Sequence, residues 1–409
     1  MVTASTKARI AWVAVPHLSG MTTIFHLISA GLRRRGWECM WVGAGEQMAR
    51  MADEAFARCS WDMLCPDSRD VRECATAFVG WVEQREVDMV ITVGEAFVHA
   101  AAASLPSHVR LILKCSVMSR HAYAAVTANI PRTDLIIVET QRQYDDLTRN
   151  WRVPREKCAL IPNGVDVELF APPAQRDLSH PLRIIYSGRL DEVQKNVLLL
   201  PHIAARLVRA GIQFELSVLG DGPDRERLRN AFLKQGLDRR VKFHGPVPRE
   251  EVVRFLQEAD VLILPSRFEG MSWVLLEAMA CGCVAVVSDI RRTMDMVVRD
   301  GANGLLCRVG DAGAFARAIM TLARDRVRLQ RMSLAARKTI EEHFTMDRMI
   351  EAHDRVFTEL LHRPRENYQP APLSEIKVPK FARRSWRAFV PRPVKNLVRT
   401  WAERFHITV

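Results

Sequence analysis

Short apolar runs alternate with longer stretches of helical periodicity along most of the chain. In the first half the runs cover residues 10–15, 38–42, 89–93, 109–113, 135–138 and 159–161. In the second half they cover 183–186, 214–219, 241–244, 261–264, 284–287 and 305–307. Between them, apolar positions recur at three- and four-residue spacing over 22–35, 71–84, 141–150, 196–210, 225–234 and 250–257, which predicts helices. Strand and helix in strict alternation predict βαβ units, and so parallel sheets covered on both faces. The fold class is therefore α/β. In such sheets ligands bind outside the carboxyl ends of the strands.

Punctuation divides the pattern. Pro172, Pro173 and Pro181 flank a polar stretch at 175–180, which reads as a linker. Residues 1–173 are expected to form one doubly wound domain and 174–345 a second. A helix at 346–362, able to pack back on the first domain, would follow, and 363–409 would be a tail, in which Pro364, Pro370, Pro372 and Pro379 mark a loop before the basic part. A chain of 409 residues is long enough for two such cores.

Composition excludes several classes. Hydrophobic residues at 48% and charged residues at 26% are the values of a soluble globular protein. The longest uncharged apolar run, 278–287, is about half of what a bilayer requires. The N-terminus carries no secretory pattern, since Lys7 and Arg9 lead directly into a strand, so a cytoplasmic protein is expected. Nine cysteines in no framework read as reduced thiols, and Cys281 and Cys283 lack a second ligand pair.

Charge changes the picture at one end only. The stretch 363–409 holds eleven Lys or Arg against three Glu, which is +8 of the total +12. Within it Val394, Leu397, Val398, Trp401 and Phe405 share one helical face, with Lys395, Arg399 and Arg404 outside it. Such a helix suits an anionic membrane surface, and equally suits packing on the protein's own domains. No nucleic-acid reading module is present, so nucleic acid is not an expected partner.

The candidate chemistry gathers after two strands. The run at 261–265 leads into Ser266-Arg267-Phe268-Glu269-Gly270-Met271-Ser272, and Glu277 follows eight residues after Glu269. Gly270, Met271 and Ser272 would offer backbone amides at a helix N-terminus, which suits an anion. The two acids can grip separate parts of one polar ligand. Earlier, the run at 183–186 leads into Ser187-Gly188-Arg189-Leu190, with Lys195 and Asn196 six and seven residues beyond Arg189. An arginine forks onto paired oxygens and a lysine acts as a mobile charge, a pair suited to a diphosphate. Gly220-Asp221-Gly222-Pro223 closes another strand, as a nucleotide contact or as a plain turn.

In this order the segments resemble the retaining GT-B glycosyltransferases of family 4. The resemblance rests on Pro162-Asn163-Gly164-Val165-Asp166 with Phe170, Gly188-Arg189-Leu190 with Lys195-Asn196, and Gly220-Asp221-Gly222-Pro223. His244-Gly245, residues 266–282, Asp300-Gly301, Asn303-Gly304-Leu305-Leu306 and Gly310-Asp311 complete it. It implies two Rossmann-like domains facing a central cleft, with an acceptor side in the first and a nucleotide sugar on the second. It implies a hexosyltransferase that moves a sugar from a UDP- or GDP-linked donor to a glycan or lipid-linked acceptor. Arg189 and Lys195 would hold the diphosphate, Glu269 the sugar hydroxyls and Glu277 the ribose. Gly188, Gly270, Met271 and Ser272 would line the donor, and Gly20 would face its phosphates from the first domain. No metal and no other cofactor is implied.

The chain also departs from the family. Met21 follows Gly20 where a second glycine is usual, and the Arg189–Lys195 spacing is one residue longer than is common. Leu113-Lys114-Cys115-Ser116 stands where the family often has a histidine, for which His99 or His121 would have to substitute. Asp295 stands in place of a usual glutamate. A GT-B nucleotide-sugar epimerase, which turns over its substrate without an acceptor, and a non-catalytic GT-B scaffold are the alternatives.

Overall fold

The computed structural model describes residues 6–13, 20–51, 61–173, 179–364, 368–379 and 400, with the backbone alone for 20–24 and 51. The expected amphipathic stripe from Val394 to Phe405 lies outside the described residues, as do Leu18 and Ser19 of the first loop. No helix among the described residues is long and apolar enough to cross a membrane.

Seven strands form the first sheet: β1 (Ala8–Val13), β2 (Trp37–Ala44), β3 (Trp61–Leu64), β4 (Met89–Thr92), β5 (Arg110–Cys115), β6 (Leu135–Val138) and β7 (Cys158–Leu160). They lie parallel in the order β3-β2-β1-β4-β5-β6-β7. Six more form the second sheet: β8 (Leu182–Ser187), β9 (Phe214–Leu219), β10 (Val241–Gly245), β11 (Val261–Leu264), β12 (Val284–Ser288) and β13 (Gly304–Cys307). These are also parallel, in the order β10-β9-β8-β11-β12-β13. Both orders are doubly wound, and the central strands are buried end to end, as in β5, β6, β11 and β12. Burial on both faces is why these strands read as unbroken apolar runs.

The chain forms two compact units. The first gathers the described residues through Glu139, then Gln143–Pro162 and the C-terminal segment from Met349. The second gathers Thr140–Arg142, Asn163–Arg348 and, from the last part of the chain, Thr400. The boundary expected at 173 therefore lies later than the observed one. Residues between them are anchored in the second unit: Val165 and Phe170 are fully buried there. The Val165 amide donates to Phe344 O at 2.8 Å, and the Met346 amide donates to Val165 O at 2.9 Å. An added Cβ on Gly164 would lie 2.2 Å from Thr345 O, so only glycine allows this approach.

The helix Met346–His362 buries Met349, Ile350, His353, Phe357 and Leu360 along one face. Each of the four apolar side chains among them contributes about 1.5–3 kcal/mol of hydrophobic stabilisation. Its Asp354 accepts from Lys7 Nζ at 2.8 Å and from Trp37 Nε1 at 2.7 Å. The proline-rich stretch beyond it, read from sequence as a loop, is a strap on the first unit. Ala371 N donates to Ala103 O at 2.7 Å, Arg132 lies 4.9 Å above the Tyr368 ring, and Ile376 is buried in the core.

In each sheet the strand order reverses beside its first strand, between β1 and β4 and between β8 and β11. The loops leaving these neighbours must diverge, which opens a crevice at their carboxyl ends. In the second unit this crevice rests on a floor of glycines. Gly188 N donates to Leu219 O at 3.1 Å and Leu190 N to Asp221 O at 2.9 Å. An added Cβ on Gly220 would lie 2.1 Å from Gly188 O, and one on Gly222 would lie 2.4 Å from Leu190 O. The segment 220–222 thus supports the loop of Arg189 from below. Forcing backbone apart in a packed region costs about 1–3 kcal/mol. Gly222→Ala should accordingly lose that much stability in urea denaturation at unchanged m value. Gly80, which has nothing within 4 Å, is the control, and Gly80→Ala should be neutral or stabilising.

Candidate functional site

The loops after β8 and β11 lie side by side, and each is tied to the other by backbone polar groups. Arg267 N donates to Gln194 O at 2.8 Å, and Asn196 Nδ2 donates to Pro265 O at 3.1 Å. Asn196 takes a φ of 53°, which closes the end of the first loop. Asp191 shapes its middle, accepting from Val193 N at 2.7 Å and Gln194 N at 3.2 Å. Arg267 spans back, donating from Nη2 to Glu192 Oε1 at 2.6 Å.

Glu269 stands where these loops meet, with a side chain only 5% exposed. Its Oε1 accepts from Lys195 Nζ at 2.6 Å and from Ser266 Oγ at 2.6 Å. Its Oε2 accepts from Gln194 Nε2 at 3.3 Å. A buried carboxylate needs such donors, because leaving it unpaired costs several kcal/mol. Beneath it Tyr186 is fully buried and donates from its hydroxyl to Arg189 O at 2.8 Å. Burial, helped by the nearby Glu269 and Asp191 carboxylates, raises the Tyr186 phenol well above its usual range, so it stays protonated.

Each expected site residue has a defined place. Arg189 extends into solvent, its side chain 67% exposed and Nη2 3.6 Å from Asp191 Oδ2. Lys195, in contrast, points inward to Glu269. Gly188 has a φ of 151° and lies on the glycine floor. Gly270 and Met271 precede the helix Trp273–Ala280, and Ser272 occupies its N-cap without bonding its own hydroxyl to the helix amides. Met271 is buried and turned to Asn163, whose Nδ2 donates to Met271 O at 3.1 Å. Gly20 opens the helix Gly20–Arg33 of the first unit.

Glu277 sits in the helix rather than in an open position. Arg249 Nη2 lies 3.3 Å from its Oε1, and the Arg249 guanidinium rests 5.2 Å above the Phe170 ring. Burial raises the Glu277 pKa and Arg249 opposes it. The arginine comes from another helix, Arg249–Glu258, and sequence reasoning missed it because nothing in spacing links the two positions. Asp295 serves a local turn, accepting from Thr293 N at 3.0 Å.

The corresponding crevice of the first unit carries an acid that sequence reasoning also missed. Glu95 follows β4 and lines a cavity of about 360 Å³ together with Glu46, Gln47, Ser68, Arg69 and Phe97. Arg69 donates to Glu46 from both Nε and Nη2, and this pairing holds Glu46 below the usual carboxylate range. No hydrogen-bond partner of the Glu95 carboxyl is found among the described residues, and burial pushes its pKa up to about 7. Of the two histidines weighed above, His99 is buried with its pKa pushed down to about 4 by burial, and His121 is exposed. Among the described residues no group of three or more His, Cys, Asp or Glu gathers as a metal site.

Comparison with known proteins agrees with this architecture. Residues 173–339 match the family described as Glycosyl transferases group 1, and residues 18–169 match Glycosyltransferase Family 4. A glycogen synthase of Mycobacterium tuberculosis is 26% identical over 262 residues, covering 64% of this chain and 63% of that protein. A putative colanic acid biosynthesis glycosyltransferase of Escherichia coli is 33% identical over 198 residues, 47% of this chain and 48% of the relative. The chain thus spans between about half and just under two thirds of the length of these two relatives. Among solved structures, Anabaena HepE in complex with UDP and glucose superposes with a TM-score of 0.70 at 16% identity, covering 86% of this chain and all of that one. The two matched families tile both doubly wound units, and the chain belongs to the GT-B glycosyltransferases of family 4.

Proposed function

We propose that the chain is a retaining glycosyltransferase. It moves a hexose from a UDP- or GDP-linked donor to a hydroxyl of a glycan or lipid-linked acceptor, in bacterial polysaccharide, lipopolysaccharide or glycolipid synthesis. The observation that carries the reading is the buried Glu269 carboxylate held beside Lys195 where the loops of β8 and β11 meet. The relative named for colanic acid biosynthesis and the structural neighbour in complex with UDP and glucose support the substrate class.

Cleavage of a glycosyl–phosphate bond builds negative charge on the leaving nucleoside diphosphate. Fixed cations placed where that charge develops supply the largest electrostatic help. Lys195 is braced by its loop, and the exposed Arg189 is free to swing onto the phosphates. Glu269 takes hydroxyls of the sugar, and Glu277, steadied by Arg249, takes those of the ribose. Attack on the same face of the sugar, with the leaving phosphate accepting the proton, accounts for retention without a protein nucleophile. The cavity of the first unit, at the matching reversal of strand order, is the proposed acceptor seat, with Glu95 among its hydrogen-bonding groups.

Lys195→Ala should lower turnover of the donor by about a hundredfold or more, corresponding to roughly 2.7–4 kcal/mol. Wild-type turnover by a folded variant would remove Lys195 from the reaction. Glu269→Gln deletes the charge that pairs with Lys195. Calorimetry with UDP and GDP should therefore find nucleotide binding at least as tight as in the wild type, while transfer falls. Glu277→Gln should instead weaken nucleotide binding.

Glu95 gives a pH signature in stability. Its folded pKa of about 7 lies above the ordinary 4.5, so the folded state holds the proton more tightly. The stability it confers is complete below about pH 4.5 and is lost as pH rises through 7. Glu95→Gln keeps the shape without the titration. Its Tm relative to wild type should therefore be higher at pH 8 than at pH 5. An equal difference at both values would mean a carboxyl ionised and solvated throughout.

A further inference from the structure

The residue that makes the first loop one longer than is common lies between Arg189 and Lys195, and the structure gives this loop a use for Gln194. Its carbonyl accepts from Arg267 N at 2.8 Å, which fixes its backbone to the loop of Glu269. Its side-chain amide donates to Glu269 Oε2 at 3.3 Å. The other oxygen, Oε1, is shared by Lys195 and Ser266.

These three donors are not equivalent once a donor substrate arrives. A diphosphate competes with Glu269 for Lys195, since one ammonium has three protons and a strong preference for the denser charge. Glu269 then keeps only neutral partners. Ser266 Oγ holds Oε1 and Gln194 Nε2 holds Oε2. Of these, Gln194 alone touches the oxygen that Lys195 never occupied. A carboxylate that must meet sugar hydroxyls at set positions needs its plane fixed after the cation has left.

We propose that Gln194 is a positioning residue that keeps the Glu269 carboxylate oriented toward the donor sugar when the diphosphate takes Lys195. It acts through Glu269 and need not touch the nucleotide. This inference rests on the donor-site reading above, and it gives a residue of the lengthened loop a role in sugar placement.

The test uses the full chain and three variants, Gln194→Met, Gln194→Asn and Gln194→Glu. Binding of UDP and GDP is measured by calorimetry, and turnover by release of nucleoside diphosphate from UDP- and GDP-hexoses across pH. Gln194→Met keeps length and removes the donor. It should bind the nucleoside diphosphate within about twofold of wild type but lose about tenfold or more in kcat, as expected for a hydrogen bond to a charged group. Gln194→Asn, one carbon short, should behave likewise. Gln194→Glu places a second carboxylate against Glu269, which favours a shared proton. Its activity should be low near neutrality and recover toward acid pH, displacing the pH profile. A merely structural loop residue would move nucleotide affinity and kcat together and leave the profile in place. That pattern, or wild-type kcat in Gln194→Met, overturns the proposal. Absence of binding of either nucleoside diphosphate to the wild type would instead overturn the donor-site reading, a different result from the same calorimetry.

Discussion

A carboxylate removed from water must be met by donors, and the second unit is arranged around that requirement at Glu269. Breaking one side of a buried pair costs about 3–5 kcal/mol, so the position of Lys195 is not incidental. The lysine can reach only because its loop is drawn against the loop of β11 by Arg267, Gln194, Asn196 and Pro265. That proximity in turn follows from β8 and β11 being neighbours at the reversal of strand order. The close approach of Gly220 and Gly222 to the backbone of Gly188 and Leu190 sets the first loop directly on the turn after β9.

Charge among the side chains of the site is nearly self-compensated. Lys195 is paired with Glu269, Arg267 with Glu192 and Arg249 with Glu277. Arg189 is the exception, projecting into solvent beside an aspartate 3.6 Å away. A polyanionic ligand therefore meets one mobile cation first and must rearrange the inner pairs to gain the others. Under the proposed donor-site reading, nucleotide recognition and the state of Glu269 are coupled through a single ammonium group.

Much of this was legible in the sequence, for physical reasons that differ by residue. Strands such as 261–264 and 284–287 are buried on both faces, so their apolar runs stand out. Lys195 and Glu269 lie in the loops that follow β8 and β11, where a sheet of this type places its ligands. The four-residue β3 was not legible, because it is an edge strand interrupted by Asp62 and only partly buried along its length. Glu95 carried no local mark either. Its place depends on β1 lying beside β4, a pairing between distant segments. The prolines at 172 and 173 suggested a boundary there, but Val165 and Phe170 had already committed the chain to the second unit. Likewise Pro364, Pro370 and Pro372 indicated a loop, whereas Tyr368, Ala371 and Ile376 fasten that stretch down.

The helix Met346–His362 has a consequence for how the protein is made. From Met349 onward it belongs to the first unit, where Asp354 joins Lys7 and Trp37 and Ile350 fills the space against Gly31. On a ribosome the N-terminal residues emerge first, and the groups that seal them emerge only after Asn163–Arg348 of the second unit. The first unit therefore waits, with Trp37 and its neighbours uncovered, while most of the second unit is already made. Order of translation is thus not order of completion, and no single cut of the chain yields the first unit in one piece.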